Sequence, residues 1–219
     1  MIFERIISRI ISVAIGYIFG LFQTGYLYGK SKGIDIRTQG SGNAGTTNSL
    51  RVLGAKAGAI TFIGDLLKAI LAVLVVHFIF KDIDPEYTKL YELYAGFGAV
   101  LGHNFPFFLK FKGGKGIACS SGVILALCPW WFSAICLAAF IIIVVSTRYV
   151  SLGSITIMTM FIVGVLIFNY YGILGVEASC IVEFDIVAAC FTAMAIFRHR
   201  ANIVRLIHGN ENKFSMKKK

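Results

Sequence analysis

Long runs of apolar residues are the feature that most limits how this chain can fold. A helix that crosses a bilayer needs roughly 20 such residues, or fewer where neighbouring helices bury part of it. The sequence has about seven runs, near residues 6–28, 57–80, 89–103, 115–128, 131–146, 153–171 and 181–197. Charged residues make up only 15% of the chain, against roughly a quarter in soluble domains. We therefore expect an all-α integral membrane protein, with residues 1–219 forming a single polytopic domain.

The first run predicts a retained helix, because it is too long for a signal-peptide core and lacks a clear small-residue cleavage site. Basic residues fall mainly in alternate connections and in the C-terminal tail: Lys30, Lys32, Arg37, Arg51, Lys56, Lys110, Lys112, Lys115, Arg148, Arg198, Arg200, Arg205, Lys213 and Lys217 to Lys219. By the positive-inside rule this side is cytoplasmic, with the N-terminus outside and the C-terminus inside. Arg5 and Arg9 point the other way and are outnumbered.

The net charge of +10 does not indicate nucleic-acid binding, because no such motif is present and the charge lies in loops beside the membrane. The last three lysines are typical of contact with anionic lipid headgroups. The five cysteines, Cys119, Cys128, Cys136, Cys180 and Cys190, show no paired spacing and are interpreted as small buried hydrophobic residues. With no His or Cys cluster at ligand spacing, we expect no metal site.

The stretch GSGNAGTTNSLR, residues 40–51, combines glycines with short polar side chains and ends in Arg51. Glycines permit tight turns, hydroxyl and amide groups hydrogen-bond a ligand, and a guanidinium matches phosphate oxygens. The amides of a following helix would strengthen the attraction. A flexible linker loop is the alternative, but a linker does not normally lead into an apolar helix that carries arginine. The stretch favours an anion site.

The stretch GHNFPFFLKFKGGKGIA, residues 102–118, places lysines beside glycines between two apolar runs. It lacks the spacing of a nucleotide-binding Walker loop and follows no strand, so nucleotide hydrolysis is not indicated. Its phenylalanines are expected to hold the loop at the membrane interface, with Lys112 and Lys115 turned towards an anion.

The stretch RHRANIVRLIHGNE, residues 198–211, follows the last run. Helical spacing puts Arg198, Asn202 and Arg205 on one stripe with His199 beside it. A basic amphipathic helix resting on the membrane surface is the alternative. Three glycine or basic clusters on one predicted side of the membrane favour a common site.

Together these three stretches resemble the signature segments of the bacterial acyl-phosphate:glycerol-3-phosphate acyltransferases, the PlsY family. DIRTQ before the first stretch and GDLLKAI in the second run extend the similarity over nearly the whole chain. The resemblance implies a seven-helix enzyme of the bacterial inner membrane that moves a fatty acyl group from acyl phosphate to the 1-hydroxyl of sn-glycerol 3-phosphate. Lysophosphatidic acid and inorganic phosphate would be the products, at the first step of phospholipid synthesis. It also implies no cofactor and a functional link to the enzyme that makes acyl phosphate.

The resemblance also implies which residues form the site. The catalytic group is His199, Ser41 and Asn202, and the phosphate-binding group is Asn43, Arg51, His103, Lys112, Gly113, Gly114, Lys115, Arg200 and Glu211. His199 would orient or deprotonate the attacking hydroxyl, although a substrate phosphate oxygen is the alternative base. No Ser-His-Asp triad is required, since acyl phosphate already carries a good leaving group.

Two further pairs call for interpretation. His77 and Asp82 have the HxxxxD spacing of CoA-dependent glycerolipid acyltransferases, but they fall at the predicted outer end of the second run, away from the basic clusters. Asp65 and Lys68 lie one helical turn apart within that run, where a functional role and a structural ion pair are both open.

Two other classes of protein remain as alternatives. A transporter or channel for an organophosphate would also need basic loops and glycine breaks, but the sequence shows no internal repeat typical of transporters. A noncatalytic scaffold for lipid-synthesis enzymes leaves the three phosphate-type clusters unexplained.

Overall fold

A computed structural model describes residues 2–214 of the protein, so the predicted lipid contact of Lys217 to Lys219 lies outside the described residues. Regular structure in the described part is helical. The α-helices are α1 (Ile2–Gly20), α2 (Thr24–Ser31), α3 (Thr46–Leu53), α4 (Ala55–Phe80), α5 (Thr88–Asn104), α6 (Ile117–Leu127), α7 (Trp130–Thr147), α8 (Val150–Tyr170), α9 (Ile181–Arg198) and α10 (Arg200–Ile207). Single 3-10 turns occur at Ile36–Thr38, Pro85–Tyr87, Phe107–Leu109 and Ala178–Cys180.

Within residues 2–214, five helical segments are long and apolar enough to cross a membrane. They are Phe3–Ser31, Ala55–Phe80, Trp130–Thr147, Val150–Tyr170 and Ala178–Arg198. The third and fourth predicted runs are also helical, but α5 has 17 residues and α6 has 11. The protein is therefore a multi-pass, all-helical membrane protein. Seven crossings and the sides of the two termini stay predictions.

The first apolar run is divided, where the sequence predicted one helix over 6–28. The chain leaves helical geometry between α1 and α2, and the carbonyls freed there meet buried polar side chains. Gln23 Nε2 donates to Gly20 O at 3.1 Å, and Lys68 Nζ donates to Phe22 O at 2.6 Å. Backbone groups in an apolar surrounding need such partners, because water is absent. These side chains therefore make the break tolerable.

Helices α1 and α5 run parallel and approach so closely that glycine is required between them. A Cβ added to Gly16 would lie 2.0 Å from Ala95 O, and one added to Gly102 would lie 2.2 Å from Tyr17 O. Small residues four apart allow such backbone contact in membrane helices. This contact places the C-terminal end of α5, with His103, beside the break after α1.

The core is built from α4, α5, α6, α8 and α9, with Phe132 and Cys136 added from α7. Buried aromatic rings fill its centre, including Phe161 and Phe191, whose ring centroids lie 5.5 Å apart. Four of the cysteines are free and buried, which confirms their interpretation as small hydrophobic residues; Cys190 is free but exposed, so the prediction is wrong there.

At the N-terminal ends of α1, α5 and α9, cations are paired with carboxylates. Arg9 makes two contacts with Glu183, at 2.5 and 2.6 Å, and the hydroxyl of Tyr94 donates to the same carboxylate at 2.7 Å. Arg5 contacts Asp84 at 3.2 Å. Arg5 and Arg9, the basic residues on the predicted outer side of the membrane, are thus partly neutralised by neighbouring carboxylates.

Candidate active site

A cavity of about 780 Å³ opens at the end of the bundle opposite to these ion pairs. Its wall is formed by the loop before α3, the loop between α5 and α6, and the segment from the end of α9 to Phe214. The three glycine and basic stretches therefore come together around one space. The predicted site residues that line it are Ser41, Asn43, Arg51, His103, Lys112, Gly113, Lys115, His199, Asn202 and Glu211. Gly114 and Arg200 do not line it.

The loop before α3 is organised by Asn48, in the first turn of that helix. Asn48 Oδ1 accepts from Ser41 N at 2.8 Å, while its Nδ2 donates to Ile36 O at 2.8 Å and Gln39 O at 3.0 Å. Gly40 has a φ of 61°, and a Cβ there would lie 2.3 Å from Asn48 Oδ1. The sequence indicated only that Asn48 is polar. The structure shows that this buried amide shapes the loop that presents Ser41.

The glycine pair between α5 and α6 packs against His103 and does not offer its amides to a ligand. Gly113 N donates to Asn104 O at 3.2 Å, and Gly114 N donates to His103 O at 3.1 Å. A Cβ on Gly113 would lie 2.0 Å from His103 O, and one on Gly114 would lie 2.0 Å from His103 Nε2. The amides of Gly113 and Gly114 are therefore already used within the chain, and the phosphate-binding role that the resemblance implies for these glycines stays a prediction.

Lys115 and the start of α6 are the groups of this loop that could bind an anion. Gly116, with a φ of 84°, turns the chain into α6, and Ile117 and Ala118 at the helix start line the cavity. The free amides of a helix N-terminus favour negative charge. Burial lowers the pKa of Lys115 to about 8, against the raising effect of Glu211. A phosphate placed beside Lys115 would restore its full charge.

Arg198, at the end of α9, fastens the same loop. Its Nη2 donates to Gly114 O at 2.7 Å and Gly113 O at 3.3 Å, and its guanidinium lies 5.1 Å from the ring centre of Phe105. Its Nε is buried without a hydrogen-bond partner in the described part of the chain. The resemblance did not include Arg198 among the site residues, although helical spacing had placed it on one stripe with Asn202.

Arg200, which the resemblance put among the phosphate ligands, faces away from the cavity. Its Nη1 donates to Phe197 O at 3.2 Å, and its guanidinium lies 4.3 Å from the centre of the Phe197 ring. The side chain is exposed. Arg198 lines the cavity and Arg200 does not.

His199 lies at the junction of α9 and α10 and is buried. Its Nδ1 is 2.8 Å from Ala195 O. Because a carbonyl only accepts, Nδ1 carries the proton and Nε2 keeps its lone pair. Burial lowers the pKa of His199 to about 4, despite the opposing contact with Ala195 O. The ring is therefore neutral near pH 7 and is able to accept a hydrogen bond from a hydroxyl group.

Asn202 connects the second and third stretches. Its Oδ1 accepts from Lys115 Nζ, and its Nδ2 donates to Glu211 Oε1 at 2.7 Å. Glu211 also accepts from Ser151 at 3.2 Å and from Arg205 at 2.8 Å. A carboxylate repels phosphate, and these donors already occupy both oxygens of Glu211. Glu211 therefore holds Asn202 and Arg205 in place, contrary to its predicted role as a phosphate ligand.

Asp65 and Lys68 form a buried ion pair of 2.8 Å beneath the cavity. Lys68 Nζ is also 2.9 Å from His103 Nδ1. Asp65, His103 and Cys119 lie close enough together to hold a metal ion. The ammonium group of Lys68 contacts two of these three side chains, so a cation from the chain itself already occupies that position.

Cations without a carboxylate partner distinguish the cavity wall. Arg37 pairs with Asp35 at 2.7 Å, and Arg205 pairs with Glu211 at 2.8 Å. Within residues 2–214 no carboxylate pairs with the other four cations of the wall, which are Arg51, Lys112, Lys115 and Arg198. Such a wall attracts anions, and its remaining side chains include apolar ones: Phe62, Ile117, Phe140, Val144 and Val150.

The HxxxxD pair lies elsewhere. His77 Nδ1 is bound to Glu92 Oε1 at 2.7 Å, and Asp82 is exposed in the turn after α4. Neither residue lines the cavity. The pair does not form a catalytic site with the three basic stretches.

Comparisons with known proteins agree with this geometry. The family model described as glycerol-3-phosphate acyltransferase matches residues 10–209. The chain is 44% identical over 215 residues to the glycerol-3-phosphate acyltransferase of Clostridioides difficile (strain 630), covering 98% of this chain and 99% of the relative. It is 40% identical to that of Bacillus subtilis (strain 168), with 92% and 95% covered.

Two solved structures are also similar, at 33% identity and with 95% of this chain and 96% of theirs covered. Both are of PlsY (YgiH), an integral membrane glycerol 3-phosphate acyltransferase, in a glycerol 3-phosphate form and a lysophosphatidic acid form. Their TM-scores are 0.79 and 0.77. The family resemblance is confirmed, and this chain belongs to the glycerol-3-phosphate acyltransferase family of integral membrane enzymes.

Proposed function

We propose that the enzyme takes its acyl group from acyl phosphate and transfers it to the 1-hydroxyl of sn-glycerol 3-phosphate. The observation that carries the proposal is the charge of the cavity wall. Among residues 2–214, four cations of the wall lack a carboxylate partner, and apolar side chains lie beside them. Two phosphate groups and one acyl chain are the complement of such a wall. The bound forms described for the similar PlsY structures, with glycerol 3-phosphate and lysophosphatidic acid, support the acceptor and the product.

In the proposed reaction the 1-hydroxyl oxygen attacks the acyl carbon, and the bond from that carbon to the phosphate oxygen breaks. The new ester is lysophosphatidic acid, and inorganic phosphate leaves. An acyl phosphate is a mixed anhydride, so the protein supplies mainly positioning and charge stabilisation. The reaction needs no cofactor and no acyl-enzyme intermediate.

Each group has a proposed task. Arg51, Lys112 and Lys115 hold the two phosphate groups, and Ser41 and Asn43 hydrogen-bond to substrate oxygens. Asn202 keeps Lys115 in place through its side-chain oxygen. His199 accepts the hydroxyl proton at Nε2 or, because its pKa is about 4, orients the hydroxyl while a substrate phosphate oxygen takes the proton.

The cellular setting follows from the substrates. We place the enzyme in the bacterial inner membrane, with the cavity on the cytoplasmic side and residues 1–219 acting as one domain. Arg51, Lys112, Lys115 and Arg198 then face the compartment that holds glycerol 3-phosphate. An enzyme that makes acyl phosphate supplies the donor, and the product is the first intermediate of phospholipid synthesis.

The test is product formation by the purified protein in detergent or lipid mesophase. With palmitoyl phosphate and glycerol 3-phosphate, we expect equal release of phosphate and lysophosphatidic acid that requires both substrates. Palmitoyl-CoA in place of palmitoyl phosphate is the matched control and should give no product. Lysophosphatidic acid formed from palmitoyl-CoA and glycerol 3-phosphate, without palmitoyl phosphate, would overturn the proposed donor. Uptake of glycerol 3-phosphate into vesicles without acyl transfer would favour a transporter.

A further inference from the structure

The Gly113–Gly114 pair in the α5–α6 loop is held on both of its edges. On the amide edge, Gly113 N donates to Asn104 O and Gly114 N donates to His103 O, two carbonyls at the end of α5. On the carbonyl edge, Arg198 Nη2 donates to Gly114 O at 2.7 Å and to Gly113 O at 3.3 Å. The carbonyl edge is therefore bound by a side chain of α9 that lies 84 residues further along the chain.

The two glycines need such an anchor because of the packing that selects them. A Cβ on Gly113 would lie 2.0 Å from His103 O, and one on Gly114 would lie 2.0 Å from His103 Nε2, so larger residues do not fit. Glycine is also the residue with the greatest backbone freedom, and two in succession add to that freedom. Close packing thus places the most flexible type of segment directly before Lys115. Bonds on both edges restrict it to one conformation.

Lys115 is the residue that benefits from this restriction. It lines the cavity, and its Nζ donates to Asn202 Oδ1. Arg198 and Asn202 lie four residues apart, at the junction of α9 and α10. The same junction therefore holds the ammonium of Lys115 through Asn202 and the backbone that precedes Lys115 through Arg198.

The guanidinium of Arg198 is poorly placed to bind a phosphate itself. A guanidinium binds an oxyanion most strongly through two neighbouring nitrogens, and each such pair includes Nη2. Nη2 already donates to two carbonyls, and Nε is buried without a hydrogen-bond partner within residues 2–214. The guanidinium carbon also lies 5.1 Å from the ring centre of Phe105. Bidentate binding of a phosphate would therefore break the contact with the loop.

We propose that Arg198 is a positioning residue, which fixes the Gly113–Gly114 segment and thereby places Lys115 for a substrate phosphate. The inference rests on the proposed acyl transfer in this cavity. Arg198 acts through Lys115 and does not contact the substrate.

Hydrogen exchange of the full-length protein in detergent tests the anchor without turnover, by mass spectrometry of overlapping peptides. The amides of Gly113 and Gly114 should exchange slowly in the unaltered protein and about tenfold faster in Arg198→Met. Methionine keeps an apolar stem but cannot donate. Arg200→Met is the matched control, because Arg200 binds Phe197 O at 3.2 Å, and it should leave both amides unchanged. Slow exchange of these amides in Arg198→Met would overturn the proposal.

A double-mutant cycle with Lys115→Ala tests whether Arg198 acts through Lys115. We expect kcat/KM to fall about tenfold to a hundredfold in Arg198→Met, as for the loss of hydrogen bonds from a charged donor. In the Lys115→Ala background, the same change should lower kcat/KM by less than about twofold. Losses that multiply would assign Arg198 to direct contact with the substrate and would overturn the proposal.

Arg198→Lys is the conservative variant and covers the case in which Arg198→Met does not fold. A lysine ammonium keeps the charge and donates to a carbonyl, but it lacks the planar geometry of the guanidinium. The amides of Gly113 and Gly114 should exchange faster than in the unaltered protein, and kcat/KM should fall less than in Arg198→Met. Losses that multiply between Arg198→Lys and Lys115→Ala would equally overturn the proposal.

Failure of the proposed function is separate, because it appears as absence of lysophosphatidic acid from palmitoyl phosphate with the unaltered protein. Hydrogen exchange needs no turnover and still decides whether Arg198 fixes the loop.

Discussion

The two ends of the helical bundle use arginine and lysine in opposite ways. At the N-terminal ends of α1, α5 and α9, Arg9 contacts Glu183 at 2.5 Å and Arg5 contacts Asp84 at 3.2 Å. Around the cavity at the other end, cations such as Arg51 and Lys115 have no carboxylate partner among the described residues. A paired cation joins helices, whereas an unpaired cation beside a cavity leaves its charge for a ligand. Whether a cation has a carboxylate partner therefore distinguishes structural from functional cations better than the position of the cation in the sequence does.

Removing an unpaired cation should have the largest effect. For Arg51→Ala or Lys115→Ala, we expect turnover to fall well over tenfold, on the order of 2 kcal/mol or more for each lost charge-assisted contact. Phosphate release from palmitoyl phosphate and glycerol 3-phosphate measures this loss. Arg51→Lys keeps the charge and serves as the matched control. Full activity of Arg51→Ala would contradict the distinction between structural cations at one end of the bundle and functional cations around the cavity.

The pH dependence should sharpen the comparison. The pKa of Lys115 is lowered from 10.5 to about 8, so this side chain is charged below pH 8 and neutral above it. We expect kcat/KM to fall about fivefold between pH 8 and 9, because this parameter follows the ionisation of the free enzyme. The second ionisation of phosphate is near pH 6, so the substrates keep their charge over this range.

Lys115→Arg is the control for that profile. Its guanidinium stays charged, so the alkaline decline should move above pH 9 even if the overall rate is lower. An alkaline decline at the same pH in this variant would assign it to another group. On the acid side, His199 should remain neutral down to about pH 4.

Breaking a paired cation should affect stability and leave the reaction intact. Arg9→Met keeps the apolar stem of the side chain but removes both contacts with Glu183. We expect a loss of about 1 kcal/mol, since the pair is partly exposed, and a Tm lower by a few degrees in detergent. Activity at a permissive temperature should stay within twofold. A cycle with Glu183→Gln separates the pair energy from other effects.

The smallest effect is expected at the exposed Asp82. It pairs with Lys81 at 3.8 Å and does not belong to the cavity wall. Asp82→Ala should change stability by less than about 0.5 kcal/mol and leave phosphate release unchanged. Loss of activity in Asp82→Ala together with an active Arg51→Ala would mean that the catalytic end has been misassigned.

Features that depend on local pattern could be predicted from the sequence. Apolar length gave the long helices α4, α7, α8 and α9, and glycine beside basic residues identified the three stretches that meet at the cavity. The helical stripe of Arg198, Asn202 and Arg205 was also informative, since all three residues line the cavity.

Features that depend on contacts between distant segments could not be predicted. The break after α1 needs Lys68, which lies 46 residues from Phe22. The glycines of the α5–α6 loop indicated a phosphate site in the sequence. In the structure they pack against His103, a contact that the sequence pattern does not show. Arg198 and Arg200 flank His199 in the sequence. The path of the chain between α9 and α10 turns Arg198 towards the α5–α6 loop and Arg200 away from the cavity.

The buried ion pair beneath the cavity has a consequence for how the chain is made. Aspartate and lysine near the middle of a membrane helix each oppose insertion by roughly 3 kcal/mol. The carbonyls of Gly20 and Phe22 that accept from Lys68 belong to residues translated earlier. When the ribosome completes α4, the acceptors for its lysine are therefore already in the bilayer, whereas His103 emerges later. The order of synthesis lets the helix that carries this buried pair enter lipid after the acceptors of its lysine have been made.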